Sequence, residues 1–577
     1  MHTLTKIRKV LGVLGLMLVV IGLVGYRIAK AQSTTPTAAP AQTAPAPAPA
    51  QAAPTPAPAP MPMPVAAPAP AATPPAVGDP NGGNTGTAMD ITSKIPGKPT
   101  MDELSAQVGH NKISINFAWV LLTGFLVMFM QAGFALVETG FTRGKNAAHT
   151  MAMNMVIYGL GVMGFFVCGF GLMFGGQTES TLGSNAVLAG HEFVVHLFGH
   201  DWGLFGTTGF GLSGNTYDVG VLCLFLFQVV FMDAAATIPT GAMAERWKFV
   251  PFCIWGLFLS MILYPLFGHW VWGGGWLAMM GTNFHLGHGY LDFAGSTVVH
   301  ACGGVASLAG IIVLGARIGK FRKDGTPVAI PGHNLPMAIL GVFILAFGWF
   351  GFNPGSTLAG TDLRIAAVAV NTMLASCAGM LSAMLWMWWK NGKPDPGMTG
   401  NGCLAGLVAI TGPCAFVSPF GAIIIGLVSG LLVIGAAWFV EWKLKLDDPV
   451  GAVAVHGANG LWGCLSLGLL ADGTYGDGFN GVSGTVKGLF YGGGFSQFAA
   501  QIIGVLTCFV FIFGMSYVFF KIVDKVIGMR VSPEAELLGI DIPEVGALAY
   551  PRDDMYSMPM PRTIRENGKK DKVAAGA

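Results

Sequence analysis

Two stretches decide how this chain is read. Leu291-Asp-Phe-Ala-Gly-Ser-Thr-Val-Val-His300-Ala-Cys-Gly-Gly-Val-Ala-Ser-Leu-Ala-Gly310 and Asp447-Asp-Pro-Val-Gly-Ala-Val-Ala-Val-His456-Gly-Ala-Asn-Gly460 each set one histidine deep in an apolar run. An ionisable group at membrane depth is costly and usually faces a bundle interior or a pathway. Small residues follow each histidine and let helices approach closely. Two such histidines in corresponding halves of a polytopic chain point to a lined conduit. The bland alternative is a pair of hydrogen-bonded packing histidines.

Working outward, the chain of 577 residues is 53% hydrophobic and only 10% charged. Ordinary soluble domains carry roughly 25% charge, so the composition is that of a membrane protein. A net charge of +2 argues against a nucleic-acid role built on phosphate neutralisation. The nine cysteines fall in or beside apolar segments and form no CxxC site. Burial as small hydrophobes is their expected role.

Residues 1–31 read as a secretory signal peptide. Lys6, Arg8 and Lys9 precede the apolar run Val10 to Gly25, and Ala29-Lys-Ala31 supplies a cleavage site; an uncleaved anchor helix is the alternative. Residues 32–113 read as a disordered, Ala/Pro-rich periplasmic linker, extended and PPII-like over most of its length. Residues 114–527 form the membrane domain and 528–577 a cytoplasmic tail.

The expected fold is an all-α polytopic membrane protein with about eleven transmembrane helices, at roughly 115–139, 147–175, 217–244, 249–271, 296–316, 334–354, 364–389, 399–413, 417–440, 449–471 and 497–524. The eighth is short. Basic residues fall in every second connection: Arg143/Lys145, Arg246/Lys248, Arg317 to Lys323, Lys390/Lys393 and Lys443/Lys445. The positive-inside rule then puts the mature N-terminus outside and the C-terminus inside. Spans one to five and six to ten have opposite orientations, the form of an inverted repeat with its site near the midplane. His300 and His456 fall in spans five and ten, and the last helix stands outside the repeat.

At this point the chain resembles the ammonium transporter (Amt/Mep/Rh) family, bacterial Amt-type, over roughly 115–550. The resemblance rests on Asp292-Phe-Ala-Gly-Ser…His300, Gly241-Ala-Met-Ala-Glu-Arg246, His269-Trp-Val-Trp-Gly-Gly-Gly275, His333-Asn-Leu-Pro336, Gly348-Trp-Phe-Gly-Phe-Asn-Pro-Gly-Ser356 and Asp447-Asp-Pro449…His456-Gly457. It implies a homotrimer in the inner membrane with ammonium and ammonia as substrates. It also implies an outer cation site of Trp272, Phe231, Ser356 and Asp292, a gate of Phe231 and Phe352, and a pore lined by His300 and His456. No cofactor, metal or enzymatic activity is expected.

Stripping water from ammonium in a low-dielectric pore costs tens of kcal/mol unless compensated. An aromatic face offers a cation roughly 0.5–2 kcal/mol, a hydroxyl accepts a hydrogen bond, and a carboxylate makes the local potential negative. Asp292, about 12 Å from His300 if both lay on one helix, would organise the site rather than touch a substrate held at His300. Two neutral imidazoles sharing a hydrogen bond can pass a proton and bind ammonia.

Asp233, where many relatives carry small uncharged residues, reads as a cation site, a subunit contact or a structural bond. Glu138 reads as a packing or interface acid. His191, His196, His200 and Asp201 have no recognised zinc spacing. The tail Gly528 to Asp541 resembles a regulatory C-terminus, while Glu544 to Tyr550 departs from the family pattern. Two readings compete with transport: an ammonium sensor acting through a PII-type partner, and an Rh-like neutral gas channel.

Overall fold

The chain is described by a computed structural model over residues 88–178 and 181–550. The segment read as a signal peptide at 1–31 and most of the Ala/Pro-rich stretch lie outside the described residues. Ten helices among those residues are long and apolar enough to cross a membrane. They are α1 (Met101–Phe141), α2 (Gly144–Phe174), α3 (Val219–Ala242), α4 (Phe249–Trp272), α5 (Ser296–Leu314), α6 (Leu335–Gly355) and α7 (Ile365–Asn391), then, after a shorter α8, α9 (Pro419–Lys443), α10 (Val453–Leu470) and α11 (Ser496–Ile527).

The eighth helix expected, α8 (Pro396–Thr411), has 16 residues. From Gly400 to Thr411 every residue is buried, and α6, α7, α9 and α10 surround it. A helix enclosed by other helices has no lipid to match in length.

Residues 88–109 cluster apart from the helical body that begins at His110. Within them α1 starts at Met101, inside the segment read as linker. The sequence carries the reason: Thr100 and Glu103 form a capping box. Glu103 Oε2 accepts from the Thr100 amide at 2.9 Å, and Thr100 Oγ1 accepts from the Glu103 amide at 3.2 Å. Side-chain caps also start α3 (Asp218), α6 (Asn334), α8 (Asp395) and α9 (Ser418), with proline in the first turn of the last three.

The two halves share a local design at their fifth helices. Both α5 and α10 open with a wide π-type turn, Ser296–Ala301 and Val453–Ala458, a feature frequent at functional sites. Left-handed glycines, Gly295 and Gly451, precede them. An aspartate stands eight positions before each histidine, Asp292 before His300 and Asp448 before His456. Both aspartates accept amide bonds from the turn that follows. The helices cross where a Cβ on Gly304 would collide with the Gly457 backbone, so the glycines beside the histidines bring the two together.

At the other end of α5 a buried charge network joins four connections. Arg317 bonds Glu245 Oε1 at 3.0 Å and Asp447 Oδ2 at 2.8 Å, and Arg143 pairs with Glu245 as well. Arg246 donates to the Asp447 carbonyl at 2.7 Å. Burial opposes ionisation of Asp447, but the Arg246 and Arg317 guanidiniums overcome it and hold its carboxyl well below the usual range. The tail docks on the same face. Asp541 accepts the amides of Ala148 and His149, Glu544 that of Phe249, and Glu536 that of Ile318. These amides begin helices or follow one, so tail carboxylates satisfy donors that would otherwise be orphans.

Removing one partner of a buried network strands the others, at about 3–5 kcal/mol. Arg317→Ala is therefore expected to lower the melting temperature in detergent sharply. Lys320→Ala leaves a partly exposed Glu441 that water can still solvate, so it is expected to cost less than Arg317→Ala. The Asp447 contribution is full above about pH 4 and falls away as acid titrates its depressed carboxyl, so the difference between wild type and Arg317→Ala narrows in strong acid.

Candidate functional site

The site is a column of rings. Trp272, at the end of α4, donates its indole N–H to the Asp292 carbonyl at 2.6 Å. Its ring stands edge-on to Phe231 of α3, centroids 6.2 Å apart. Phe231 is stacked on Phe352 of α6 at 4.0 Å, and both are buried. Van der Waals contact at that spacing leaves no passage between the rings, so anything crossing must displace one. Phe352 lies 5.3 Å from His300, and His300 lies 5.3 Å from His456.

Asp292 sits before α5 rather than on it. The chain turns back at Gly295 (φ 111°), and the carboxylate reaches four consecutive amides. Oδ1 accepts from Gly295 and Ser296, Oδ2 from Thr297 and Val298, at 2.8–3.0 Å. The Thr297 hydroxyl adds a fifth bond at 2.7 Å. The 12 Å helical separation from His300 therefore does not apply, since residues 292–295 are not helical. Asp292 is fully buried and its oxygens are committed to the helix start.

His300 and His456 meet nitrogen to nitrogen, Nδ1 to Nδ1 at 3.3 Å. In two neutral rings one Nδ1 must carry the hydrogen and the other accept it. The donor ring then shows a lone pair at Nε2 and the acceptor ring an N–H. A proton arriving at one outer nitrogen and leaving from the other reverses the pair without moving either ring. His300 Nε2 makes no hydrogen bond among the described residues.

The structure brings together six of the seven expected site residues by ring contact or by the bond from Trp272. Ser356 comes in through its hydroxyl, which donates to the Phe352 carbonyl at 2.8 Å; it is half-buried. Two aromatics complete the column. Trp349 is stacked on His300 at 4.9 Å and fixed by a 2.9 Å bond to Thr411. Phe134 lies 6.0 Å from His456. Asp233 is buried near Gly161 of α2, its Oδ1 without a hydrogen-bond partner among the described residues, and makes none of these contacts.

The loop that holds His191, His196 and His200 contains a hairpin, β1 (Glu192–Leu197) and β2 (His200–Gly206). No group of three or more ligand-type side chains able to hold a metal occurs among the described residues. His196 pairs with Asp201 on the exposed hairpin. Glu192 instead bonds the buried His269 at 2.7 Å, three residues before Trp272.

Residues 118–550 match the family described as Ammonium Transporter Family. The chain belongs to the ammonium transporter family. It is 47% identical over 460 residues to Ammonium transporter Amt2 of Archaeoglobus fulgidus, covering 79% of this chain and 92% of that protein. It is 38% identical to Ammonium transporter Amt1 of Haloferax mediterranei, over 77% of this chain and 81% of the relative. Among solved structures it resembles a protein titled Sensor Amt Protein, with TM-score 0.64 and 37% identity over 76% of this chain and 99% of that one. Candida albicans Mep2 gives TM-score 0.62 and 26% identity, over 76% and 90%. With ten apolar helices, the chain is a multi-pass membrane protein of this family.

A Cβ at Gly295 would meet Val299 at 2.7 Å and the Trp272 ring at 3.1 Å, at a φ that L side chains avoid. Gly295→Ala is expected to cost more than about 1 kcal/mol and to alter the fluorescence of the packed indole. Thermal melts and emission spectra in detergent check both; a variant unchanged in each contradicts this placement of Trp272.

Proposed function

We propose that this chain moves ammonium across the cytoplasmic membrane by recruiting the cation, deprotonating it and passing ammonia and the proton separately through the twin-histidine pore. The observation that carries the reading is the unbroken ring column from Trp272 through Phe231 and Phe352 to the hydrogen-bonded histidines. Trp272 and Phe231 offer faces to a cation, and the Ser356 hydroxyl offers an acceptor. Asp292 contributes negative potential and holds Trp272 in register through its carbonyl. The stacked phenylalanines exclude a hydrated ion. Past them the surroundings are apolar, and ammonia crosses more cheaply than ammonium. The proton follows the histidine nitrogens. Potassium carries no proton to surrender, so it meets the same barrier without relief.

In this reading Trp272 faces the periplasm, the tail faces the cytoplasm, and three copies assemble around their apolar faces, each with its own pore. Three-fold closure covers faces such as that bearing the exposed Phe343 and Phe347 on α6. A second reading, sensing through a PII-type partner at the cytoplasmic face, draws support from the solved relative titled as a sensor and from the docked tail. The tests are concrete. His300→Ala and His456→Ala are expected to fold normally and lose turnover or ammonium-over-potassium discrimination in currents on solid-supported membranes. Asp292→Ala is expected to be more damaging than Trp272→Leu, and Trp272→Leu more than Ser356→Ala, because five bonds and a helix start depend on the carboxylate. Histidine variants with wild-type currents and selectivity would sink the mechanism.

A further inference from the structure

Below His456 the structure holds a cavity of about 20 Å³ that opens beside a second buried acid. That volume accommodates one molecule the size of water, which is also the size of ammonia. Glu138 and Asn401 supply its polar lining, and Phe134, Leu345 and Val450 part of its apolar wall, with His456 at the end that meets the pore. His456 spends Nδ1 on His300, and its Nε2 makes no hydrogen bond among the described residues. The next polar step beyond the histidine pair is therefore this cavity and the carboxyl group on its wall.

Glu138 is built in rather than left over. It is buried near the end of α1, and its Oε2 accepts from Asn154 of α2 at 2.7 Å and from Thr240 of α3 at 2.6 Å. Asn154 is itself tied to Thr237 at 3.0 Å. A Cβ on Gly241 would press on the Glu138 carboxyl and on Val450, so glycine there makes room for it. Among the described residues no Lys, Arg or His stands within ion-pair distance of Glu138. Another acid, Asp448, also acts on it electrostatically. An unpaired buried acid is costly at membrane depth and marks a pathway when it faces a water-filled space. A packing acid has no need of a cavity shared with the pore histidine.

We propose that Glu138 and this cavity form the inner ammonium site, where ammonia takes back its proton before leaving. The inference rests on the transport reading above. Ammonia entering the cavity takes the proton of the Glu138 carboxylic acid: an N–H bond forms, the O–H bond breaks, and ammonium stands against a carboxylate. Once ammonium leaves, the carboxylate is reprotonated from His456 Nε2 by the proton that ammonium lost at the outer gate. The Asn154 and Thr240 bonds hold the carboxylate ready for each turn.

The test compares wild type, Glu138→Gln and Glu138→Asp in reconstituted full-length protein. It uses ammonium-jump currents and ammonium-induced infrared difference spectra. The expected result is a fall of about tenfold or more in the Gln current, the scale of a lost acid–base group, with much of it recovered in Asp. A carboxyl band that changes with ammonium is expected in wild type and Asp and absent in Gln. A folded Glu138→Gln protein with wild-type current overturns the inference and leaves the transport reading standing. A wild-type protein without ammonium current overturns the transport reading itself. Should the Gln variant fail to fold, the spectra still decide: no ammonium-dependent carboxyl band in wild type, or one unmoved by the change to Asp, overturns the inference.

Discussion

One buried carboxylate sets the geometry on which the rest depends. Asp292 takes four amides and a hydroxyl at the start of α5, while its own carbonyl anchors the Trp272 indole. The same residue therefore fixes the wide turn that presents His300 and the aromatic at the mouth of the column. Backbone amides aimed at an anion stabilise it without a counter-cation. For the cation site proposed above, the arrangement would keep negative charge nearby while leaving no oxygen free to hold a substrate permanently. Weak, shared attraction of this kind lets a cation enter and still leave.

The second half repeats the device. Asp448 organises the turn before His456 as Asp292 does before His300, at the same spacing, and the glycines Gly304 and Gly457 let α5 and α10 touch where the histidines meet. Inverted halves with one histidine each bring the two rings together where α5 and α10 cross. The Nδ1–Nδ1 bond is the product of that symmetry. It commits one nitrogen of each ring to the other, and His456 also lines the cavity that holds Glu138.

Much of this was legible in the sequence because charge is so scarce. With 10% of residues charged, two histidines in apolar runs stand out, and the basic connections give the span count. The aromatic partners were harder. Trp349 and Phe134 look like any ring in an apolar helix, and only packing shows that they flank the histidines. The hairpin at Glu192–Gly206 lacks the strict alternation that announces a strand. The place of Asp292 depended on Gly295 adopting a left-handed φ, which undid the helical spacing. The start of α1 had a readable signal, the Thr100–Glu103 capping box, in a stretch whose composition otherwise suggests linker.

The central claim is that a closed aromatic gate and an apolar, proton-passing histidine pair separate ammonium into ammonia and a proton. Charge movement by the wild-type protein tests it most directly. Purified protein in proteoliposomes on a solid support would be given jumps of ammonium, methylammonium and potassium at equal ionic strength. The account predicts a positive inward current with ammonium, a smaller one with methylammonium and none with potassium. A potassium current comparable to that of ammonium, or ammonium flux without charge, would contradict it.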